Sequence, residues 1–245
     1  KLFLLYTPFM SNIRLYYPNS IIENTTSLLS KDHTHYVANV MRLKRGSNIN
    51  FFNQDGEWVS EVIFLEKDRV EVKFLNRLKE SLKPLNIELA ICLVKKNPME
   101  IILQKATELG VNRITPIISE RTEIKELNFE RAKKIVIEAT EQSNQFCPPE
   151  ISKIIKLKDF INNLNSSNKL FFADINCKER LKKDDIKSEN LKTLLIGPEG
   201  DFSPNERKMI LENNKTISFS LSKNILRTET ATISALSLIN HFFEL

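Results

Sequence analysis

The pattern of apolar and polar residues divides the chain into two parts, and the first part consists of short runs rich in β-branched and aromatic residues. The run from Arg69 to Phe74 alternates charged and apolar side chains, which is the period of a strand with one buried face. The pair Asp55-Gly56 between two such runs predicts a hairpin, because glycine adopts a positive φ without steric cost. Several short strands in succession predict a small β-barrel. The runs span residues 13–17, 49–53, 58–65 and 69–75.

The second part, from residue 85 onward, alternates strand patterns with helical ones. Leu85–Val94 is nearly continuous apolar, as expected of a strand buried on both faces. Asn97, Pro98 and Glu100 predict a capped helix start, and Gly110 predicts the end of that helix. This alternation predicts an α/β domain with a parallel sheet. Further strands are predicted at 114–119, 169–174 and 193–196, and further helices from 129, after the capping sequence 203–206, and from 230.

A polar stretch that ends in proline, residues 78–84, separates the two parts and predicts a linker. We therefore predict two domains, over residues 11–77 and 85–245. Within the first domain, residues 31–45 predict a helix or turn. This segment is locally basic, because it contains histidines, arginines and lysines.

Composition narrows the class of protein without selecting one. With 245 residues, of which 41% are hydrophobic, the chain can form a core, and a net charge of +5 permits a polyanionic partner but equally fits ordinary surface charge. The three cysteines form no C-x-x-C pair and the three histidines are scattered, so we expect free thiols in a reducing compartment and no metal site. Because no apolar run approaches the length of a membrane span, we expect a cytoplasmic protein without membrane contact.

Two stretches of the second part combine features that ligand sites need. Residues 196–203 hold two of only 5 glycines and lie between an apolar strand and a capped helix, where α/β proteins bind ligands. This stretch is neither a P-loop nor a dinucleotide turn, which disfavours an enzyme that acts on nucleotide phosphates. Residues 221–231 lead into the last helix with Arg227 at the junction, although a helix cap with a surface arginine explains that stretch nearly as well. Glu138 and Glu141 share a helix face, a spacing more typical of a solvated surface than of an acid–base pair.

Two motifs in a fixed order are similar to those of a known family. Gly197-Pro198-Glu199-Gly200 precedes Phe202-Ser203, and Ile225-Leu226-Arg227-Thr228-Glu229 follows in a later loop. Together they resemble the RsmE family of ribosomal RNA methyltransferases, which belongs to the SPOUT superfamily. Further matches to this family are residues 104–111, residues 141–143, the segment from His35 to Arg42, and Arg14 in the first strand.

The chain departs from the family pattern at several positions. Asp201 stands where a second glycine is usual, Gln145 where arginine is common, Ser222 where glycine is common and Tyr36 where a second histidine is usual. The departures at Asp201 and Gln145 leave open a non-catalytic RNA-binding factor for ribosome assembly. A second alternative is a SPOUT methyltransferase that acts on transfer RNA, which the two-part architecture and the segment 35–42 disfavour.

The resemblance implies an α/β protein with an N-terminal PUA-like β-barrel that binds RNA and a C-terminal SPOUT domain with a trefoil knot. It implies a homodimer that uses S-adenosyl-L-methionine to methylate N3 of a uridine in small-subunit (16S) ribosomal RNA, naked or in the assembled subunit. By position, Arg227 would stabilise negative charge on the uracil, and Glu199 would accept a proton or only bond backbone amides. RNA contacts would come from Arg14, His35, Arg42, Lys44 and Arg45. Cofactor contacts would come from Phe172, Ala173, Asp174, Ile196, Gly197, Pro198, Glu199, Gly200, Leu221, Ser222, Asn224, Ile225 and Leu226.

Overall fold

The strands form two separate sheets, one in each of two units of the chain, residues 1–83 (unit 1) and 84–245 (unit 2). The computed structural model describes residues 13–81, 86–165, 168–186 and 191–243. The predicted linker at 78–84 is partly strand, because the last strand of unit 1 continues to Lys79, and residues 82–85 lie outside the described residues.

Unit 1 contains β1 (Arg14–Tyr16), β2 (Thr26–Leu28), α1 (Lys31–His35), a π-helical turn (Tyr36–Val40), β3 (Asn48–Asn53), β4 (Gly56–Leu65) and β5 (Val70–Lys79). The sheet order is β1-β3-β4-β5-β2, with β1 parallel to β3 and every other pair antiparallel. Side chains of alternate strand positions, such as Phe51 and Val72, form a core that also takes Val37 from the π-helical turn. The predicted β-rich first part is confirmed.

The predicted hairpin at Asp55-Gly56 is confirmed. β3 and β4 pair with Asn53 opposite Gly56. Gly56 has a φ of +132°, and a Cβ atom there would collide with the backbone carbonyl of Lys79. The position therefore requires glycine for its backbone conformation and for the close approach of β5.

Unit 2 contains β6 (Ile87–Cys92), α2 (Lys96–Glu108), β7 (Arg113–Ile118), α3 (Phe129–Gln142), β8 (Glu150–Ile151), β9 (Ile155–Lys156), α4 (Leu157–Asn162), β10 (Lys169–Ala173), α5 (Lys183–Ile186), β11 (Lys192–Ile196), α6 (Pro204–Glu212), β12 (Thr216–Phe219) and α7 (Thr228–Phe243). Its sheet has the order β12-β10-β11-β6-β7-β8, with β9 also paired to β7. Every pair is parallel. The predicted α/β part with a parallel sheet is confirmed.

Helices cover both faces of this sheet. α2, α3, α5 and α7 share one hydrophobic core with the strands, in which Ile91 and Leu236 are fully buried. α4 and α6 share the core of the opposite face, around Leu195 and Phe160. Because the central strands carry helices on both sides, every residue of β6 is buried, as its continuous apolar run predicts.

The start of α2 lies two residues before the predicted one. The helix begins at Lys96. The backbone amide of Met99 donates a hydrogen bond to the carbonyl of Lys95 (3.0 Å), so Lys95 is the capping residue instead of Asn97. Pro98 still fits the first turn, because amide groups there have no partner within the helix.

The two helices that flank the carboxyl ends of β11 and β12 begin near the predicted positions. At α6, the Ser203 hydroxyl accepts from the Glu206 amide (3.2 Å) and the Glu206 carboxylate accepts from the Ser203 amide (3.0 Å), so the predicted capping box is confirmed. α7 begins at Thr228, two residues earlier than its apolar stripe predicts, and its first turn therefore reaches the strand ends. 

Candidate active site

The carboxyl ends of β10, β11 and β12 open into one pocket. These strands are adjacent, with β10 in the middle, so the three loops that follow them meet at one edge of the sheet. The empty space, including its open mouth, is about 670 Å³, a size typical of small-molecule sites. The described lining residues are Ala173, Asp174, Ile175, Ile196, Gly197, Pro198, Glu199, Asp201, Ser220, Leu221, Ser222, Asn224, Ile225, Leu226, Thr228 and Ala231.

The loop after β11 forms one wall and is a tight turn. The amide of Asp201 donates to the carbonyl of Pro198 (3.0 Å), and Asp201 has a φ of 58°. The left-handed conformation explains why a glycine is usual there. Aspartate is tolerated because its short side chain bonds locally, and here Oδ1 accepts from the amide of Phe202 (2.7 Å). The departure at this position is therefore compatible with the turn.

The residue after β10, Asp174, is buried and held by an arginine from α6. Arg207 Nη2 donates to Asp174 Oδ2 (2.7 Å), and Arg207 Nε lies 3.1 and 3.2 Å from the two carboxylate oxygens. The amide of Asn176 also donates to Oδ1 (3.0 Å). Hydrogen bonding to Asp174 raises the pKa of Arg207, so this guanidinium keeps its positive charge beside the carboxylate. The pair ties the wall of the pocket to α6.

The loop after β12 is held from the outside. Arg180 Nη1 donates to the carbonyl oxygens of Leu221 (2.6 Å) and Ser220 (3.3 Å), and the amide of Ser220 donates to the carbonyl of Glu179 (2.8 Å). These bonds leave the opposite side of the loop to line the pocket. At its tip, Ile225 is 83% exposed.

The two predicted catalytic residues lie on different parts of this site. Glu199 is exposed and lines the pocket. Arg227 is exposed at the start of α7, where its carbonyl accepts from the amide of Ala231 (2.8 Å), and it lies outside the described lining. An exposed arginine at the rim can reach a substrate that approaches the mouth, but the structure does not place it against Glu199.

All but two of the predicted cofactor residues line the pocket. The first exception is Phe172, whose side chain packs on Phe202 (ring centroids 5.7 Å apart) in the core beneath. The second is Gly200, whose carbonyl accepts from Arg121 Nη1 (3.0 Å) on another side of the loop. Alternation along β10 explains the first exception, because residues on the two sides of Phe172 point to the other face.

Sequence reasoning missed several residues of the site. Ile175, Asp201, Ser220, Thr228 and Ala231 line the pocket without having been predicted to do so. Had the sequence predicted that α7 begins at Thr228 and not at residue 230, Thr228 and Ala231 would have been expected near the pocket. Arg207 had no sequence signal, because its partner Asp174 lies 33 positions away.

The lining fits the groups of S-adenosylmethionine. Apolar side chains such as Ile196 and Leu226 suit an adenine ring, and glycine backbone permits close approach. The amino end of α7, which contributes Thr228 and Ala231, favours a carboxylate, since a helix amino end carries positive potential. Lining carboxylates favour positive charge. The site can therefore hold an amphipathic ligand with both charges.

In unit 1, most predicted RNA-binding residues are exposed and one is not. His35, Arg42, Lys44 and Arg45 are exposed, together with their neighbour Met41 (41%). They form an open, basic surface with an apolar residue in it.

Arg14 is different. Its side chain is 10% exposed, its Nε donates to the buried Glu57 carboxylate (3.1 Å), and its guanidinium lies 3.5 Å from the centroid of the Phe52 ring. Because the Arg14 charge is compensated inside unit 1, this geometry does not support the prediction that Arg14 contacts phosphates.

Among the described residues, no group of three or more His, Cys, Asp and Glu side chains could hold a metal ion. No helix in the described ranges is long and apolar enough to cross a membrane.

Comparison with known proteins places these features in a family. A family model for the RNA methyltransferase domain matches residues 79–240, and one for the RNA methyltransferase PUA domain matches residues 29–75. Ribosomal RNA small subunit methyltransferase E of Rickettsia conorii is 34% identical over 229 residues, which cover 91% of this chain and 93% of that protein. The protein of the same name from Bacillus subtilis is 30% identical over 92% of this chain and 93% of that protein. A ribosomal RNA small subunit methyltransferase E from Neisseria gonorrhoeae, solved with bound S-adenosyl methionine, superposes with a TM-score of 0.84 at 31% identity, covering 94% of this chain and 97% of that one.

Proposed function

The chain belongs to the family of ribosomal RNA small subunit methyltransferase E, and on this premise we propose that it methylates RNA of the small ribosomal subunit with S-adenosylmethionine as methyl donor. The observation that carries the proposal is the pocket at the ends of β10, β11 and β12, which gathers nearly all the residues that the family motifs indicate. Unit 1, with its PUA-like sheet, would contribute RNA binding.

We propose N3 of a uridine in 16S ribosomal RNA as the methylated atom. When bound, S-adenosylmethionine supplies an electrophilic methyl group on a positively charged sulfur. Uridine N3 loses its proton and uses the freed electron pair to bond the methyl carbon, while the pair of the broken sulfur–carbon bond stays on sulfur. This reaction needs alignment of N3 with the methyl group and stabilisation of the uracil anion.

Arg227 and Glu199 are the candidates for these tasks. The Arg227 side chain is exposed at the rim, where it can approach the uracil oxygens and stabilise their negative charge. The Glu199 carboxylate lines the pocket and is open to solvent, so it can take the N3 proton and pass it to water. If Glu199 instead only positions the loop, the proton leaves directly to water.

The exposed basic surface of unit 1 is proposed to contact RNA phosphates. His35, Arg42, Lys44 and Arg45 are open to solvent, and such contacts make affinity fall as salt rises. Substitution of Arg42 and Arg45 by alanine would then weaken RNA binding and reduce its dependence on salt.

We also propose that the loops around the pocket form a trefoil knot. The protein would act in the cytoplasm, where ribosomal subunits are assembled.

We further propose that the protein is a homodimer. Two exposed apolar side chains at the pocket mouth, Ile175 (49%) and Ile225 (83%), support the dimer, since a second copy would remove them from water. Analytical ultracentrifugation of the wild type and of an Ile225→Ser variant tests it.

The test of the function is methyl transfer from labelled S-adenosylmethionine to small ribosomal subunits that lack the modification, with the product nucleoside identified by mass spectrometry. N3-methyluridine is the expected product. Cofactor binding without transfer to subunits or to naked 16S RNA would favour the assembly factor, and transfer to transfer RNA alone would favour the other SPOUT class.

A further inference from the structure

We propose that the carboxylate of Asp201 shifts the affinity of the pocket toward the positively charged cofactor and away from the product of the reaction. This inference rests on the proposed use of S-adenosylmethionine. Methyl transfer converts a sulfonium into an uncharged thioether and removes one methyl group, while the rest of the molecule is unchanged. A site can therefore distinguish the two mainly by the electrostatic potential around the sulfur.

The charged residues among the described lining of the pocket are all acidic, namely Asp174, Glu199 and Asp201. They are not equivalent. Asp174 is buried and its charge is compensated by the two-pronged bond to Arg207. Glu199 is exposed to bulk water, which weakens its interactions. Asp201 is half-buried, so its charge is screened less than that of Glu199.

The backbone holds the Asp201 carboxylate in one place. With a φ of 58°, the residue sits in the turn closed by its amide on Pro198, and its Oδ1 accepts from the Phe202 amide (2.7 Å). Within the described residues, Oδ2 makes no hydrogen bond. Arg207 lies near enough to interact with this charge, but its guanidinium hydrogen-bonds Asp174 and not Asp201. The Asp201 carboxylate is thus oriented and only partly compensated, which keeps negative potential available to a ligand.

The basic residues of the neighbouring loop lie elsewhere. Lys223 and Arg227 are exposed and stand outside the described lining, whereas Asn224 between them lines the pocket. The loops therefore present acidic groups to the cofactor and basic groups to the solvent, from which a polyanionic RNA approaches. The separation lets one site attract ligands of opposite charge.

The test is isothermal titration calorimetry of S-adenosylmethionine and S-adenosylhomocysteine with the wild type, Asp201→Asn and Glu212→Gln. Asparagine tolerates the left-handed conformation and keeps an oxygen for the Phe202 amide, so it removes little besides the charge. Glu212 ends α6, about 12 Å along the helix from its start, and its substitution removes the same charge outside the pocket.

We expect Asp201→Asn to lower the ratio of cofactor affinity to product affinity by roughly threefold to tenfold, and Glu212→Gln to leave it unchanged. Asp201→Gly, which also relieves the positive φ, should lower the ratio as much and so covers the case in which asparagine disturbs the fold. Raising the salt concentration should reduce the wild-type ratio.

An unchanged ratio in folded Asp201→Asn and Asp201→Gly proteins would overturn the inference while leaving the proposed function intact. An equal fall with Glu212→Gln would also overturn it, because the effect would then belong to net charge. A wild type that binds neither ligand would overturn the proposed function itself.

Discussion

Buried carboxylates lie near both ends of the parallel strands of unit 2, and their partners differ in kind. Near the amino end of β6, the Glu88 carboxylate accepts from the hydroxyls of Thr115 (2.6 Å) and Thr193 (3.0 Å), which lie on the two neighbouring strands. At the carboxyl end of β10, Asp174 bonds Arg207 from a helix and also lines the pocket. The first carboxylate joins strands to each other, and the second joins a strand to a loop and a helix.

Burial of a carboxylate therefore does not by itself indicate function. Glu88 accepts hydrogen bonds from hydroxyls within the sheet and is not among the described lining residues of the pocket. Its role is therefore to hold the neighbouring strands together. Asp174 has its charge compensated but keeps contact with a ligand space. We expect substitution of Glu88 to change stability alone, and substitutions around the pocket to change binding or catalysis, with or without a loss of stability.

The largest expected effect is on catalysis, from Arg227→Ala at the carboxyl end. Loss of the charge that stabilises the uracil anion should lower kcat by about 10²–10³-fold. Cofactor affinity should change little, because Arg227 lies outside the described lining. Single-turnover methyl transfer and calorimetry measure the two quantities.

The matched control is Arg113→Ala at the amino end of β7, where the arginine forms an exposed pair with Glu150 (3.1 Å). It should retain wild-type kcat. Equal losses in the two variants would contradict the division of roles between the two ends of the sheet.

The next largest effect is expected from Arg207→Met, which leaves the buried Asp174 carboxylate without its partner. The free energy of unfolding should fall by about 3 kcal/mol, and the cofactor should bind at least several-fold more weakly as the wall of the pocket loosens. Urea unfolding and calorimetry measure both. The double variant Asp174→Asn/Arg207→Met should regain part of the stability, and a double variant no better than the single one would argue against an unpaired charge as the cause.

A smaller effect, on stability alone, is expected from Glu88→Gln. The amide keeps one acceptor for the threonine hydroxyls but loses the charge-assisted bonds, so the free energy of unfolding should fall by about 2 kcal/mol. Cofactor affinity should stay at the wild-type value. A changed affinity in a protein with native circular dichroism would show that the two ends of the sheet are coupled.

The smallest effect concerns Cys92, at the carboxyl end of β6. Its thiol is fully buried and is not part of the described lining of the pocket. Burial raises the pKa of the Cys92 thiol to about 12, although hydrogen bonds with Ser119 and Thr122 oppose this. At pH 8 only about one molecule in ten thousand is then the reactive thiolate. In native protein, the exposed Cys147 should react with a thiol reagent, and Cys92 only after unfolding.

The pH dependence of stability has a definite sign here. The unfolded chain releases the Cys92 proton near the ordinary thiol pKa, whereas the folded chain keeps it to about 12, so this group lowers the free energy of unfolding as the pH rises between these values. Cys92→Ala should show a weaker decline above pH 9. Rapid labelling of Cys92 in the native protein would contradict its burial at the end of β6.

The local elements of this protein follow from its amino-acid sequence. The hairpin glycine at position 56, the Ser203–Glu206 capping box and the continuous apolar run of β6 each depend on neighbours within a few residues, where backbone geometry and side-chain spacing suffice. The order of motifs indicated the loops that line the pocket.

Which of those residues face the pocket, and which partners they have, depends on how the sheet and helices pack. The tertiary structure turned Phe172 into the core, enclosed Arg14 with Glu57, and brought Arg207 to Asp174. These pairings join residues far apart in the chain, and their energy depends on burial and on the exclusion of water. Neither quantity exists until the sheet and its helices have packed, so no local pattern could have determined them.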